Sequence, residues 1–313
     1  MKIVAFRPKG LRKVISGLML DNLILNLNAS FEALLKYEGF SELEAKIKAG
    51  RELPENPNKL IAKGVKTKII IRKLASKYKL LSNLDKLIFN LKSVELKAPV
   101  PKPGKIIGVG LNYLDHIKEA GRKIPSEPIV FSKAPTSITG PYDPIILPRI
   151  SNQVDYEAEL AIVIGAKCKN IKSENEAEKY ILGYMAANDV TARDIEFKEP
   201  IRFFSSKSLD TFCPIGPGIT LAEDVNPNNL TIMSKLNGEV MQKSNTKNMV
   251  FNVRKLVYLL SQDMTLEPGD IILTGTPGGV GFARDPPIFL KPNDIIEVYV
   301  EKIGCIRNQV VKQ

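Results

Sequence analysis

Histidine occurs once in these 313 residues and cysteine three times. Cys168, Cys213 and Cys305 are odd in number, far apart and free of any CxxC pair, so they fit a reducing compartment better than a disulfide framework. They read as small buried hydrophobes kept reduced, and a cytoplasmic location is expected. With no cysteine to join the lone His116, zinc is disfavoured. No apolar run reaches membrane-spanning length, because Lys and Arg interrupt every candidate, so no membrane partner is expected. The N-terminus, MKIVAFRP, carries charge but no sustained apolar stretch before a small-residue cleavage site, and no secretion signal is expected. Gly108-Val109-Gly110 lacks the third glycine of a dinucleotide fingerprint, since Tyr113 stands there. Gly275–Gly281 has no following Lys-Ser/Thr, so it is not a phosphate loop. Both read as backbone turns beside a site.

An apolar fraction of 44% suffices for a core and argues against disorder. The net charge of +11 is confined to one end. Residues 1–100 hold 20 Lys+Arg and 9 Asp+Glu, whereas the other 213 hold 25 of each. That asymmetry, with the stiff Ala98-Pro99-Val100-Pro101-Lys102-Pro103-Gly104 segment, predicts a small basic N-terminal domain over 1–98 and a second domain over 99–313. A nucleic-acid partner is the rival reading of the basic end. The charges are dispersed, without a compact run or a stacking motif, and a solvated lysine-rich surface accounts for them better.

Strands are predicted over 3–8 and 13–27, with a turn at Asp21-Asn22. A helix is predicted from 31 onward with Ser30 as its cap, and another over 41–50. Residues 67–91 follow helical spacing, although Ile69-Ile70-Ile71 suits a strand equally well. Beyond the linker come short β-rich runs at 106–109, 145–147, 159–164, 231–236, 271–274 and 295–300. Helices are expected at 112–121, 174–180 and 253–261. Many short strands with few helices predict a mixed α/β, mainly β, fold whose sheet folds on itself, not a doubly wound parallel sheet.

His116 and Glu119 are three apart, so on a helix they share a face and can act as a base with its orienting carboxylate. His116 also reads as an ordinary structural histidine. Asp155, Glu157 and Glu159 alternate with apolar residues and would line one side of a strand. Asp189 ends the apolar run 180–187. Three carboxylates completed by water or substrate are the hard oxygen set that Mg²⁺ or Mn²⁺ prefers. The same ExE pattern is equally that of an acidic strand face exposed to water. Lys207 and Lys133, each among apolar and small residues, can hold an anion or offset carboxylate charge, or can simply be surface lysines.

Six segments in order, KIIGVGLNYLDHIKE, FSKAPTS, VDYEAELAIVIG, YMAANDVTARD, KSLDTFCPIGP and MTLEPGDIILTGTPGGVG, resemble the fumarylacetoacetate hydrolase family from about residue 105 to 306. Residues 1–98 look like the smaller, variable α+β domain that many members carry. The resemblance implies a mixed β-roll catalytic domain, usually in a homodimer, acting on a small 2-oxo acid. It places Glu157, Glu159 and Asp189 on Mg²⁺ or Mn²⁺ and His116 with Glu119 on a short lid. Lys207 would sit beside the metal, and Lys133, Arg193, Gly275 and Thr276 near substrate oxygens. Glu196 departs from the pattern, since many members carry Gln there, and residues 197–202 are idiosyncratic. The activity implied is hydrolysis or decarboxylation of acylpyruvate-like 2-oxo (di)acids through an enolate. Isomerisation of a 2-hydroxyhepta-2,4-diene-1,7-dioate, decarboxylation of a 5-oxopent-3-ene-1,2,5-tricarboxylate and dehydration of a 2-oxo-3-deoxy sugar acid are the alternatives.

Overall fold

Strand Ala158–Ile164 is apolar at nearly every position and buried along its whole length, so it needs cover on both faces. The computed structural model, which describes residues 1–81, 85 and 87–313, provides it. Alternate residues Ala161 and Val163 pack with Leu34, Ala45, Ile71 and Leu74 of the N-terminal helices. Leu160, Ile162 and Ile164 face the other way, onto Ile232, Val298, Val300 and Ile306 of a second sheet. The period of two along one strand thus separates two cores.

The central layer is a twelve-stranded sheet. Its main path runs Ile88–Asn90, Leu23–Asn26, Ile15–Leu20, Lys2–Pro8, Cys213–Leu221, Ile181–Asn188, Ala158–Ile164, Ile271–Leu273, Ile106–Gly110 and Ile129–Lys133. Most pairs are antiparallel, but Ile271–Leu273 runs parallel to Ile106–Gly110. The second sheet has five strands in the order Glu239–Asn245, Thr231–Leu236, Ile295–Val300, Gly304–Lys312 and Ile145–Leu147. The fold is mixed α/β and mainly β, as expected. No helix among the described residues is long and apolar enough to cross a membrane.

The expected division at residue 98 is not a break in packing. Lys2 and Ile3 pair with Thr220 and Ile219, so the N-terminal strands extend the same sheet, and the core beneath the helices draws on both halves. Several N-terminal cations reach acids of the other half: Lys68 lies 3.0 Å from Glu223, Arg72 2.7 Å from Asp224 and Lys97 2.8 Å from Asp143. The halves also touch at Gly64, where Val65 N donates to the Gly165 carbonyl at 2.8 Å. Gly64 has φ +58°, and a Cβ there would lie 1.7 Å from the Gly165 oxygen. Gly64→Ala is expected to cost roughly 3 kcal/mol or more, through backbone strain plus that clash, read as a lowered urea midpoint.

Two local expectations are corrected, and one left open is decided. The first helix, Leu27–Tyr37, is capped by Asn26, whose side chain accepts from Ala29 N at 3.2 Å. Ser30 lies inside the helix, buried, because the chain turns straight from strand into helix at Asn26. Residues 69–71 are helical, within Thr67–Lys77, since Ile71 and Leu74 reach the core on one face. The helical pattern does not persist to 91: Ile88–Asn90 is a strand paired with Leu23–Asn26. The part of that expectation on residues 82–84 and 86 lies outside the described residues. The helix Glu42–Glu52 opens on a reciprocal capping box between Ser41 and Glu44.

Candidate active site

The carboxylates gather where two strand pairings meet. Val154–Asp155 pairs with Thr191–Ala192, and Ala158–Ile164 pairs with Ile181–Asn188, Ala158 facing Asn188. Glu157 and Asp189 fall in the break between the two ladders, so the single continuous strand face expected for 155, 157 and 159 does not form. Glu157 O accepts from Asp189 N at 2.9 Å, and Glu157 N donates to the Asn188 side chain at 2.9 Å. Glu159 projects from the strand proper. Carboxylate oxygens of Glu157, Glu159 and Asp189 lie within 4.8 Å of one another, and all three residues are buried. Asp155 is turned away; it accepts from Arg193 Nε at 2.9 Å and from the amides of Gly281 and Phe282 at 2.8 and 3.1 Å.

Cations compensate this cluster unevenly. Lys207, at the end of the helix Phe203–Lys207, donates to Glu157 at 3.0 Å, Asp189 at 2.8 Å and Thr191 Oγ1 at 2.7 Å. Arg193 binds Glu157 at 2.6 Å and Glu196 at 2.7 Å besides Asp155. Burial works against the Glu157 carboxylate, but Lys207 and Arg193 overcome it and hold its pKa well below the ordinary range. Glu159 has no cation partner among the described residues; its one donor is Gly275 N at 2.7 Å. Burial, and then the charges of Asp189 and Glu157, push its pKa well up. Five buried carboxylates (Asp155, Glu157, Glu159, Asp189, Glu196) therefore face three buried cations (Lys133, Arg193, Lys207). Fully ionised, as metal ligands must be, this set carries an excess of two negative charges, and with one carboxylate left without a cation among hard oxygen donors it fits a divalent cation held by Glu157, Glu159 and Asp189.

Across from the triad, the helix Leu114–Glu119 carries the dyad. His116 Nδ1 lies 3.1 Å from Glu119 Oε2, and Glu119 Oε1 accepts from Gly279 N at 2.8 Å. Asp115 pins the same helix through Ser244 Oγ at 2.5 Å. His116, Glu157, Arg193, Lys207 and Thr276 line one cavity of about 280 Å³.

Two residues expected beside substrate are otherwise occupied. Lys133 is fully buried, and its ammonium bonds to Asp189 and to the carbonyls of Val190 and Phe212 at 3.3 and 2.9 Å, so it fixes a carboxylate and does not reach the cavity. Gly275, at φ +94°, spends its amide on Glu159. The Gly-rich loop holds acids, with Gly275, Gly279 and Gly281 amides bound to Glu159, Glu119 and Asp155. Gln242 was not legible as a site residue. It accepts from Ala158 N at 2.9 Å and donates to Thr276 Oγ1 at 2.7 Å, tying that loop to the triad's strand. Nor was the aromatic wall of Phe131, Phe203 and Phe282, since Phe residues this far apart in the chain carry no shared signal.

Residues 105–311 match the family model described as fumarylacetoacetate (FAA) hydrolase, C-terminal. The chain belongs to this family. Members of the fumarylacetoacetate hydrolase family are enzymes, and so is this protein. It is 48% identical over 219 residues, 70% of each chain, to the mitochondrial oxaloacetate tautomerase Fahd2a of Rattus norvegicus. Among solved structures, it resembles a fumarylacetoacetate hydrolase from psychrophilic Exiguobacterium antarcticum with TM-score 0.78 and 33% identity, covering 100% of both chains. It also resembles the maleylpyruvate hydrolase of Sphingobium sp. SYK-6, solved with manganese(II) and pyruvate, with TM-score 0.75 and 28% identity over 100% of this chain and 99% of that one.

Proposed function

We propose that the protein performs divalent-metal-dependent enolate chemistry at C3 of a small 2-oxo acid, with keto–enol tautomerisation of oxaloacetate as the first reaction to test. The observation that carries this reading is that His116 and the triad's Glu157 line the same cavity, so a base and a cation site face one volume. The 48% identity to an oxaloacetate tautomerase supports the choice of substrate.

Mg²⁺ or Mn²⁺ on Glu157, Glu159 and Asp189 would supply Lewis-acid polarisation of the 2-oxo group, which acidifies the neighbouring C3–H. His116 takes that proton and returns it to the other site of the enolate. Glu119 holds Nδ1, which leaves Nε2 to the cavity, and its charge stabilises the imidazolium as it forms. Lys207 keeps the carboxylates of Glu157 and Asp189 aimed, and Lys133 does the same for Asp189 from behind.

A second reading, C–C hydrolysis of an acylpyruvate, is favoured by the wall of Phe131, Phe203 and Phe282, which offers more apolar surface than a four-carbon acid can cover. There His116 deprotonates water for attack on the distal carbonyl, and the bond to C3 breaks to release pyruvate. Purified protein with Mn²⁺ or Mg²⁺ is expected to convert oxaloacetate enol to keto form, followed in the ultraviolet, and to lose that activity in excess EDTA. Pyruvate released from acetylpyruvate or fumarylpyruvate instead selects the second reading. Metal-independent turnover, or none with metal bound, rejects both.

A further inference from the structure

Three Lys or Arg side chains line the cavity: Arg122, Arg193 and Lys207. Two are committed within the protein. Arg193 is bound by Asp155, Glu157 and Glu196 and lies over the Phe282 ring at 4.3 Å. Lys207 donates to Glu157, Asp189 and Thr191. An anion approaching either meets the carboxylates that already neutralise it. Arg122 is different: it is exposed, and no carboxylate pairs with it among the described residues.

Its position is set by the catalytic helix. Arg122 follows the end of Leu114–Glu119, and its backbone N–H donates to the Ile117 carbonyl at 3.0 Å, which ties it to the helix that carries His116. The wall also presents Ile129, Ile201, Phe131, Phe203 and Phe282, all apolar. The cavity therefore has an acidic, metal-fitting pole, an apolar wall and one uncommitted guanidinium.

We infer that Arg122 binds the distal carboxylate of the substrate, and so makes this a site for 2-oxo dicarboxylates in preference to their monocarboxylate analogues. The inference rests on the 2-oxo-acid reading above. A guanidinium forms paired hydrogen bonds with a carboxylate, and an apolar surround strengthens them. The anchor lies six residues from the base, just past the end of the same helix, so a bound distal carboxylate also holds the His116 segment over the reacting carbon.

The test compares two stable acids of equal chain length, 2-oxoglutarate and 2-oxopentanoate, which differ only in carboxylate against methyl at the far end. Binding is measured by calorimetry on the Mn²⁺-loaded protein, so it does not depend on turnover. Wild type is expected to bind 2-oxoglutarate at least 10-fold more tightly than 2-oxopentanoate. Arg122→Gln should abolish that preference and leave 2-oxopentanoate binding within about 3-fold, whereas Arg122→Lys should keep part of it. Equal binding of the two acids by wild type, weak binding of both, or a preference that survives in Arg122→Gln overturns the inference. Oxaloacetate turnover in the same preparations separates the failures. A preference that depends on Arg122 without turnover rejects the proposed reaction and keeps the anchor; turnover without the preference does the reverse.

Discussion

Glu159→Gln is expected to remove divalent-ion binding and activity together, and yet to make the metal-free protein more stable. Both effects follow from one fact: Glu159 is a buried carboxylate whose only donor among the described residues is an amide, Gly275 N. Glu157 and Asp189 each contact cations, so the metal-free fold tolerates their charges. Substituting groups that merely orient metal ligands typically costs 10–100-fold in affinity, so loss of a ligand is expected to cost more than about 100-fold.

The sign of the stability effect comes from the direction in which the Glu159 pKa moves on folding. Its folded pKa lies well above the ordinary 4.5, because burial and two neighbouring carboxylates disfavour the anion. The folded state therefore keeps this proton to higher pH than the unfolded chain does. The stability that the group contributes is fully present below the unfolded value, and it is lost as pH rises from there through the folded pKa. A tenfold change in proton affinity is worth about 1.4 kcal/mol, so at pH 8 metal-free Glu159→Gln should melt at least ~3 °C above metal-free wild type. Mn²⁺ should raise the wild-type melting temperature and leave that of the variant unchanged. Scanning fluorimetry in EDTA and in Mn²⁺, with Mn²⁺ titration calorimetry, reads both. A variant that binds Mn²⁺ as tightly as wild type removes Glu159 from the ligand set.

His116→Ala is expected to lower kcat by about 10²–10⁴ while Mn²⁺ affinity stays within a few-fold. His116 contacts no triad carboxylate directly, and its partner Glu119 keeps the Gly279 amide when the imidazole is gone. The helix remains tied by Asp115 to Ser244, so the melting temperature should move little. Glu119→Gln should cost less, since it removes the orienting charge but not the base. Decarboxylation of oxaloacetate needs no proton abstraction by His116. If that reaction persists at the wild-type rate in His116→Ala while tautomerisation falls, the two share the cation site and only the second uses the dyad. Unchanged tautomerisation in the variant excludes His116 as the base.

Some residue relations were local enough to read directly. His116 and Glu119 meet because a helix brings i and i+3 together, and Glu157 and Glu159 lie near each other because they are two apart beside a strand. Lys133 was legible only as a cation in apolar company. Whether it faced substrate or the back of Asp189 depended on Phe212 and Val190, whose carbonyls reach it from segments 79 and 57 residues away. The role of Arg193 was hidden for the same reason: its partners Asp155 and Glu157 lie 38 and 36 residues earlier. Ser30 failed as a cap because Asn26, four residues earlier, was the better-placed acceptor once the strand had ended.

The sequence alone determined the strand at 159–164, the mainly β texture, the dyad and the choice of oxygen donors over sulfur. It also determined where the positive charge lies along the chain. Only the tertiary structure decided that the basic segment extends the catalytic sheet, because strand pairing joins residues more than 200 positions apart and leaves no local periodicity. It alone decided which carboxylate stays unpaired, because that depends on where three cations from distant segments come to rest. And it alone left Arg122 uncommitted at the cavity, because the partners that neutralise the other two cations are assembled by folding.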